Sequence, residues 1–241
     1  MVEADVAAAI QIDDLRFRWK TGHAPCLDIA AFQVERGERI FLHGPSGSGK
    51  STLLALIGGV LVPERGTVRV LDQDLGRLKA AARDRFRVDH VGFIFQQFNL
   101  VPYLSVIDNV LLPCRFSRRR RERAEAGARS AHEEAVRLLQ DLGIDAKLRA
   151  RPVVQLSVGQ QQRVAAARAL IGQPELLIAD EPTSSLDSDR QAAFLELLAR
   201  ESEKAGVTLV FVSHDMRLAA NFGRVVAMVS FNGAAAVAEA A

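Results

Sequence analysis

Residues 43–52, HGPSGSGKST, constrain this chain more than any other stretch. They meet the full Gly-x-x-x-x-Gly-Lys-Ser/Thr pattern, with Gly44, Gly49, Lys50 and Ser51 in the required places. The apolar run 40–42 enters the loop and the helix-like run 52–57 leaves it, giving the strand, loop, helix order that the pattern needs physically. Glycines in such a loop let successive backbone N–H groups turn toward one anion, and the helix start adds partial positive charge. Gly44, Pro45, Ser46, Gly47, Ser48, Gly49, Lys50, Ser51 and Thr52 are therefore expected to cradle the phosphates of a nucleotide. Lys50 reaches the β- and γ-phosphates in this reading, and the Ser51 hydroxyl sits on Mg2+.

Composition narrows the rest. The net charge is only +2 over 241 residues, which argues against a nucleic-acid-coating surface, and no nucleic-acid partner is expected. Cys26 and Cys114 are far apart and form no metal or redox pair, as in a reducing compartment. The N-terminal residues lack the basic and long apolar regions of a secretory signal. The longest apolar run, 53–63, falls short of the ~20 residues a spanning helix needs. A chain soluble by itself is the expectation.

Partly alternating segments over 10–41, punctuated by turn formers, predict strands, and 66–71 predicts another with 72–74 as a polar turn. A basic helix is expected over 75–86 and a short strand over 91–95. From 104 to 142 apolar residues recur at helical spacing and strand formers thin out, which predicts a helical subdomain inserted into an α/β core. Within it, 131–142 is a helix closed by Gly143. The arginines at 118–121 read most simply as a solvated helix face, with anionic lipid headgroups or nucleic acid as functional alternatives. The core resumes with a helix over 158–172, N-capped by Ser157, and a strand at 176–179. A helix over 189–205, a strand at 207–212, a short helix at 216–220 and a strand at 225–229 follow. Unalternated apolar strands between helices mean a mostly parallel sheet covered on both faces.

The strand at 176–179 ends in Asp180 and Glu181, at the edge where open α/β sheets bind ligands. Asp180 is suited to the metal that Ser51 touches, and Glu181 to orienting or deprotonating a water. The plainer reading is an acidic pair capping the next turn. His214 follows the strand 208–212 and is either structural or directed at the phosphates. Gln96 ends the strand GFIF, where its side chain reaches metal or water, and 98–103 reads as an exposed apolar loop. The stretch 156–163, LSVGQQQR, offers a second anion-binding helix start through Ser157 and Gly159. One nucleotide does not need two such sites, so this one fits the nucleotide of another subunit in a head-to-tail dimer.

Taken together in their order, these motifs resemble the ATP-binding subunit of ABC transporters, and the likeness covers nearly the whole chain. It identifies GPSGSGKST as the phosphate loop, Gln96 as the Q-loop glutamine and LSVGQ (Ser157, Gly159 and Gln160 included) as the signature. IADEP supplies the metal-binding Asp180 and catalytic Glu181, 184–187 is the D-loop with Asp187, and His214 is the switch histidine. The resemblance implies ATP and Mg2+ as ligands, with Ser51, Gln96 and Asp180 at the metal. It also implies an antiparallel β subdomain on the N-terminal side of a P-loop NTPase core, and Trp19 stacking on adenine, against the plainer reading of a core tryptophan. One domain over 8–232 follows, with the core at 8–95 and 171–232, the helical subdomain at 96–170 and a short tail at 233–241. A transmembrane permease is expected to contact 96–103, so that the subunit sits at the cytoplasmic face of the membrane. The segment 92–113 with 77–87 is similar to the branch holding lipoprotein-release, macrolide-efflux and cell-division ATPases, which implies export or extracytoplasmic mechanical work. A non-transport ATPase regulating envelope or cell-division enzymes is the alternative. Two departures stand out: Val158 replaces the signature's second residue, usually glycine, and the last strand runs into SFNG rather than an acidic-glycine turn.

Overall fold

The computed structural model describes residues 7–22, 24–184 and 188–234. β1 (Ala8–Phe17) and β2 (Leu27–Glu35) pair antiparallel, with Ile10 opposite Val34, Ile12 opposite Phe32 and Leu15 opposite Ile29. These side chains are all buried, as the alternation of apolar and polar residues dictates. β3 (Arg39–His43) does not alternate, and Ile40, Phe41 and Leu42 are all inside. It leads through the glycine-rich loop into α1 (Lys50–Ile57), after which β4 (Arg65–Val70) returns antiparallel to β1.

Two expectations shift in the next stretch. β5 (Gln73–Asp74) pairs with the end of β4, because left-handed Leu71 and Asp72 turn the chain one step earlier than the acidic residues suggested. The helix expected over 75–86 is two elements. Asp74 accepts a hydrogen bond from Gly76 N and diverts the chain into a 3-10 turn, Leu75–Arg77, so that α2 (Ala80–His90) starts afresh beyond it. β6 (Val91–Ile94) then precedes three helices, α3 (Val106–Phe116), α4 (Arg118–Ala126) and α5 (Ala131–Asp141). A serine caps each, as Ser105, Ser117 and Ser130 accept from the N–H groups of Asp108, Arg120 and Glu133. α6 (Val158–Leu170), β7 (Leu176–Asp180), α7 (Ser188–Lys204), β8 (Thr208–Val212) and β9 (Arg224–Ala227) complete the order. β9 is shorter than its apolar run because the backbone coils into a 3-10 turn at Met228–Ser230.

The described residues form two compact units, one from Met1–Asp84 with Thr208–Ala241 and one from Arg85–Val207. The first holds the antiparallel sheet, in the order β2-β1-β4-β5, and the parallel set in which β3 lies between β8 and β9. The second holds the parallel pair of β6 and β7 together with the helices α3 to α7.

The arginine run corrects a sequence expectation. Arg118, Arg119 and Arg121 are exposed, but Arg120 is only 1% exposed, on the same buried stripe of α4 as Ala124. Its guanidinium donates to the carbonyls of Ala169 and Ile171, each at 2.7 Å, and to Val91 at 3.4 Å. Ala169 and Ile171 are at the C-terminal end of α6, where carbonyls have no partner within the helix and a cation is favoured. Burial lowers the Arg120 pKa to about 10, and carbonyl dipoles do the work a carboxylate would do elsewhere. Beside it, Glu175 meets His90 at 3.2 Å, Arg119 at 2.5 Å and Arg123 at 2.8 Å. Burial pushes the Glu175 carboxyl up, but the hydrogen bonds from His90 and Arg119 and the Arg123 charge outweigh it and hold it at about 2.

Arg120→Ala strands three carbonyls and is expected to cost about 3–5 kcal/mol in denaturant unfolding. Arg118→Ala, which removes only an exposed partner of Glu122, should leave the midpoint nearly unchanged. Glu175 has a folded-state pKa of about 2 against an ordinary 4.5, so its contribution is complete above that ordinary value and is lost as pH falls toward 2. Thermal unfolding of Glu175→Gln should therefore show a lower midpoint at neutral pH, converging with the parent chain as the solution is acidified through that window.

Candidate nucleotide site

β3, β8 and β9 are parallel, so their C-terminal ends share one edge of the first unit. The glycine-rich loop leaves β3 there, His214 follows β8 by two residues, and Met228 follows β9. Ser213 N donates to Leu42 O at 3.3 Å and Ser213 Oγ accepts from Asp215 N at 3.1 Å, which ties the exposed His214 loop to β3. The hydrogen bond from Arg217 holds Asp215 at about 2, leaving a fixed negative charge next to the histidine.

Within the loop, Pro45, Ser46 and Gly47 are exposed, while Ser48, Gly49, Lys50 and Thr52 are buried. Gly49 has φ 94° and ψ 8°, in the left-handed region, and a Cβ there would lie 2.6 Å from Leu27 Cδ2 and 3.1 Å from Cys26 O. Backbone and packing both demand glycine. No side chain caps the start of α1, and an uncapped helix start of this kind suits an anion. Lys50 Nζ donates to Gly44 O at 2.7 Å and Pro45 O at 2.9 Å, folding its charge across the loop. The Ser48 hydroxyl is buried without a hydrogen-bond partner among the described residues. Ser51 is exposed in the first turn of α1, and Thr52 Oγ1 accepts from Cys26 Sγ at 3.5 Å. An uncapped helix start, a lysine and an unpaired hydroxyl on one loop fit a polyphosphate. Trp19 is 64% exposed and lies edge-on to Phe17 with ring centroids 5.4 Å apart, so it is not a core residue.

In the second unit Ile94 lies opposite Ala179 across the parallel pair β6 and β7. Gln96 and Asp180 therefore emerge at the same edge of that pair, the glutamine exposed and the aspartate half-buried. Their oxygens are hard donors of the kind Mg2+ prefers. Glu181 is left-handed, at φ 45°, a conformation costing a non-glycine residue about 1–2 kcal/mol. That turn sends its side chain along a different line from Asp180. At the start of α6, Ser157 Oγ accepts from Gln160 N at 3.4 Å and Gln160 Oε1 accepts from Ser157 N at 2.9 Å. The capping box uses the serine oxygen as acceptor and leaves its O–H to donate outward from an exposed helix start. Gly159 is half-buried on the same turn. Val158, 49% exposed, is not among the left-handed residues, so the backbone there makes no demand for the usual glycine. Asp187 lies outside the described residues.

The loop 98–103 is not uniformly exposed. Left-handed Phe98 and Asn99 turn the Phe98 ring inward, and Arg168 on α6 fastens the turn by donating to both carbonyls. Tyr103, 81% exposed, remains outside. Sequence reasoning also missed Asn232, which is fully buried and donates to Ser48 O of the glycine-rich loop. Its only sequence signal is an Asn-Gly pair ahead of an alanine-rich tail.

A family model described as ABC transporter matches residues 27–184. Among named relatives, the lipoprotein-releasing system ATP-binding protein LolD of Syntrophotalea carbinolica is 40% identical, over 92% of this chain and 95% of its own length. The macrolide export ATP-binding/permease protein MacB of Rhodopirellula baltica is 39% identical over 91% of this chain, which spans 31% of that longer protein. The ABC transporter ATP-binding protein YbbA of Escherichia coli is 43% identical over 82% of this chain and 83% of its own length. Among solved structures, a dimeric post-hydrolysis state of the ATP-binding cassette MJ0796 bound to ADP and Pi superposes with a TM-score of 0.78. It is 34% identical, over 90% of this chain and 93% of the other.

Gly49→Ala is expected to weaken ADP binding by at least about tenfold and to lower the thermal midpoint, since strain and overlap act together. Gly47→Ala, at φ 82° with open space around its Cβ, carries the conformational cost alone and should be the milder of the two in calorimetric titration and unfolding.

Proposed function

Since the chain belongs to the ABC transporter family, we propose that it is the ATP-hydrolysing subunit that drives a membrane permease in export or in mechanical work beyond the membrane. The observation that carries this reading is the loop 44–52, uncapped, lysine-bearing and held open at glycine, followed in order by the Q-loop, signature, acidic and histidine motifs. The names of its relatives, a lipoprotein-releasing and a macrolide-exporting system, support the direction of the work.

In this reading 8–232 act as one ATPase domain, with the core at 8–95 and 171–232, the helical subdomain at 96–170 and a tail at 233–241. Trp19 stacks on adenine. Gly44 to Thr52 wrap the phosphates, with Lys50 and the loop N–H groups neutralising charge as it builds on the γ-phosphoryl oxygens. Ser51, Asp180 and Gln96 hold Mg2+, which when bound supplies further neutralisation of the phosphate oxygens. Glu181 accepts hydrogen bonding from the attacking water and takes its proton, and His214 contacts the γ-phosphate. Each site is completed by a second copy of the chain. The outward O–H of Ser157, the N–H groups of Gly159 and Gln160, and Asp187 at the seam close over the nucleotide held by the partner. The permease contacts 96–103, where Tyr103 stands exposed. No helix among the described residues is long and apolar enough to cross a membrane; attachment at the cytoplasmic face through the permease is read from the relatives, which are subunits of membrane transport systems.

Glu181→Gln tests the assignment. ATP hydrolysis should fall by about 100-fold or more, with ATP still bound and an ATP-dependent dimer accumulating in light scattering. Phosphate release at the parental rate would remove Glu181 from its role.

A further inference from the structure

Asn232 joins the glycine-rich loop to two other parts of the first unit through one buried amide. Its Nδ2 donates to Ser48 O at 3.1 Å and to Cys26 O at 3.2 Å. Its Oδ1 accepts from Asp28 N at 2.9 Å and from Ala234 N at 3.3 Å. Both donors and both acceptor positions of the amide are thus used, and the residue is 0% exposed.

The bond to Ser48 O has a geometric consequence for the site. In a trans peptide the C=O and the following N–H point in opposite directions. Fixing Ser48 O toward Asn232 therefore turns the Gly49 N–H the other way, out toward the side where the loop meets its ligand. Gly49 itself is left-handed, at φ 94°, and a side chain there would collide with Leu27 and Cys26 O, so the position that follows the fixed carbonyl is kept as glycine.

We propose that Asn232 is a positioning residue that presets the Gly49 N–H for the β-phosphate of the bound nucleotide. The proposal rests on the reading of 44–52 as the phosphate loop. Asn232 touches no substrate, and its effect is confined to nucleotides that carry a β-phosphate.

The test is calorimetric titration of the full chain with AMP and ADP. Asn232→Ala should weaken ADP by about tenfold, the scale of a lost buried hydrogen bond to the loop, and leave AMP unchanged. A purely structural role would weaken both together, and either that result or an ADP affinity within about twofold of the parent overturns the proposal. Asn232→Asp keeps the shape and the acceptor but turns a carboxylate oxygen toward two carbonyls, which raises its pKa. Protonation restores an O–H donor for Ser48 O. Its ADP deficit relative to the parent at the same pH should therefore shrink between about pH 7 and about pH 5, and a pH-independent deficit overturns the proposal even if the alanine variant does not fold. A parent chain that binds no ADP would defeat the phosphate-loop reading itself, and the role of Asn232 with it.

Discussion

Everything at the glycine-rich loop of this molecule depends on the direction of a few peptide planes. A phosphate is held by backbone N–H groups only if they converge, and the residues that make them converge have no side chain to speak of. Gly49 shows how narrow the solution is. Its left-handed backbone opens α1, its missing Cβ admits Leu27 and the Cys26 carbonyl, and the peptide before it is bonded to a buried amide from the far end of the chain. The parallel strands β3, β8 and β9 then bring three loops to that edge, so that the loop, His214 and the support beneath them are consequences of one sheet.

The second unit solves a different problem, which is to hold a helix start in place. α6 begins with a capping box and ends on the Arg120 guanidinium, so both termini of one helix have partners outside its own ladder of hydrogen bonds. Gln96 and Asp180 are brought level by the register of β6 with β7, and Glu181 is set apart from its neighbour by a left-handed turn. The chain belongs to the ABC transporter family and resembles a dimeric cassette, and the polar groups described above are spread over strand ends and one exposed helix start.

What could be read from the sequence followed what is local and periodic. The loop pattern, the unalternated strands β7 and β8 and the serine cap of α6 are written in adjacent residues. Errors arose where one residue obeys a distant neighbour. Nothing in four consecutive arginines marks Arg120 as the buried one, because that depends on carbonyls at 91, 169 and 171. Phe98 went unread because two left-handed residues and Arg168 decide its direction, and periodicity carries no such information. The split of the basic helix before α2 turned on a single aspartate hydrogen bond, and the role of Asn232 on partners some two hundred residues away. Val158, the first residue of α6, shows the reverse case, where a departure from the family pattern makes no left-handed demand on the backbone.

Arg120 also sets a timetable for the growing chain. Two of its acceptors come 49 and 51 residues later in the sequence. A guanidinium has no stable place in an apolar interior without acceptors, so α4 stays open to water until that stretch has left the ribosome. At ordinary synthesis speeds of about 5–20 residues per second, the wait lasts some ~3–10 seconds. Burying Arg120 with its full set of acceptors thus requires α6 as well as α3, α4 and α5.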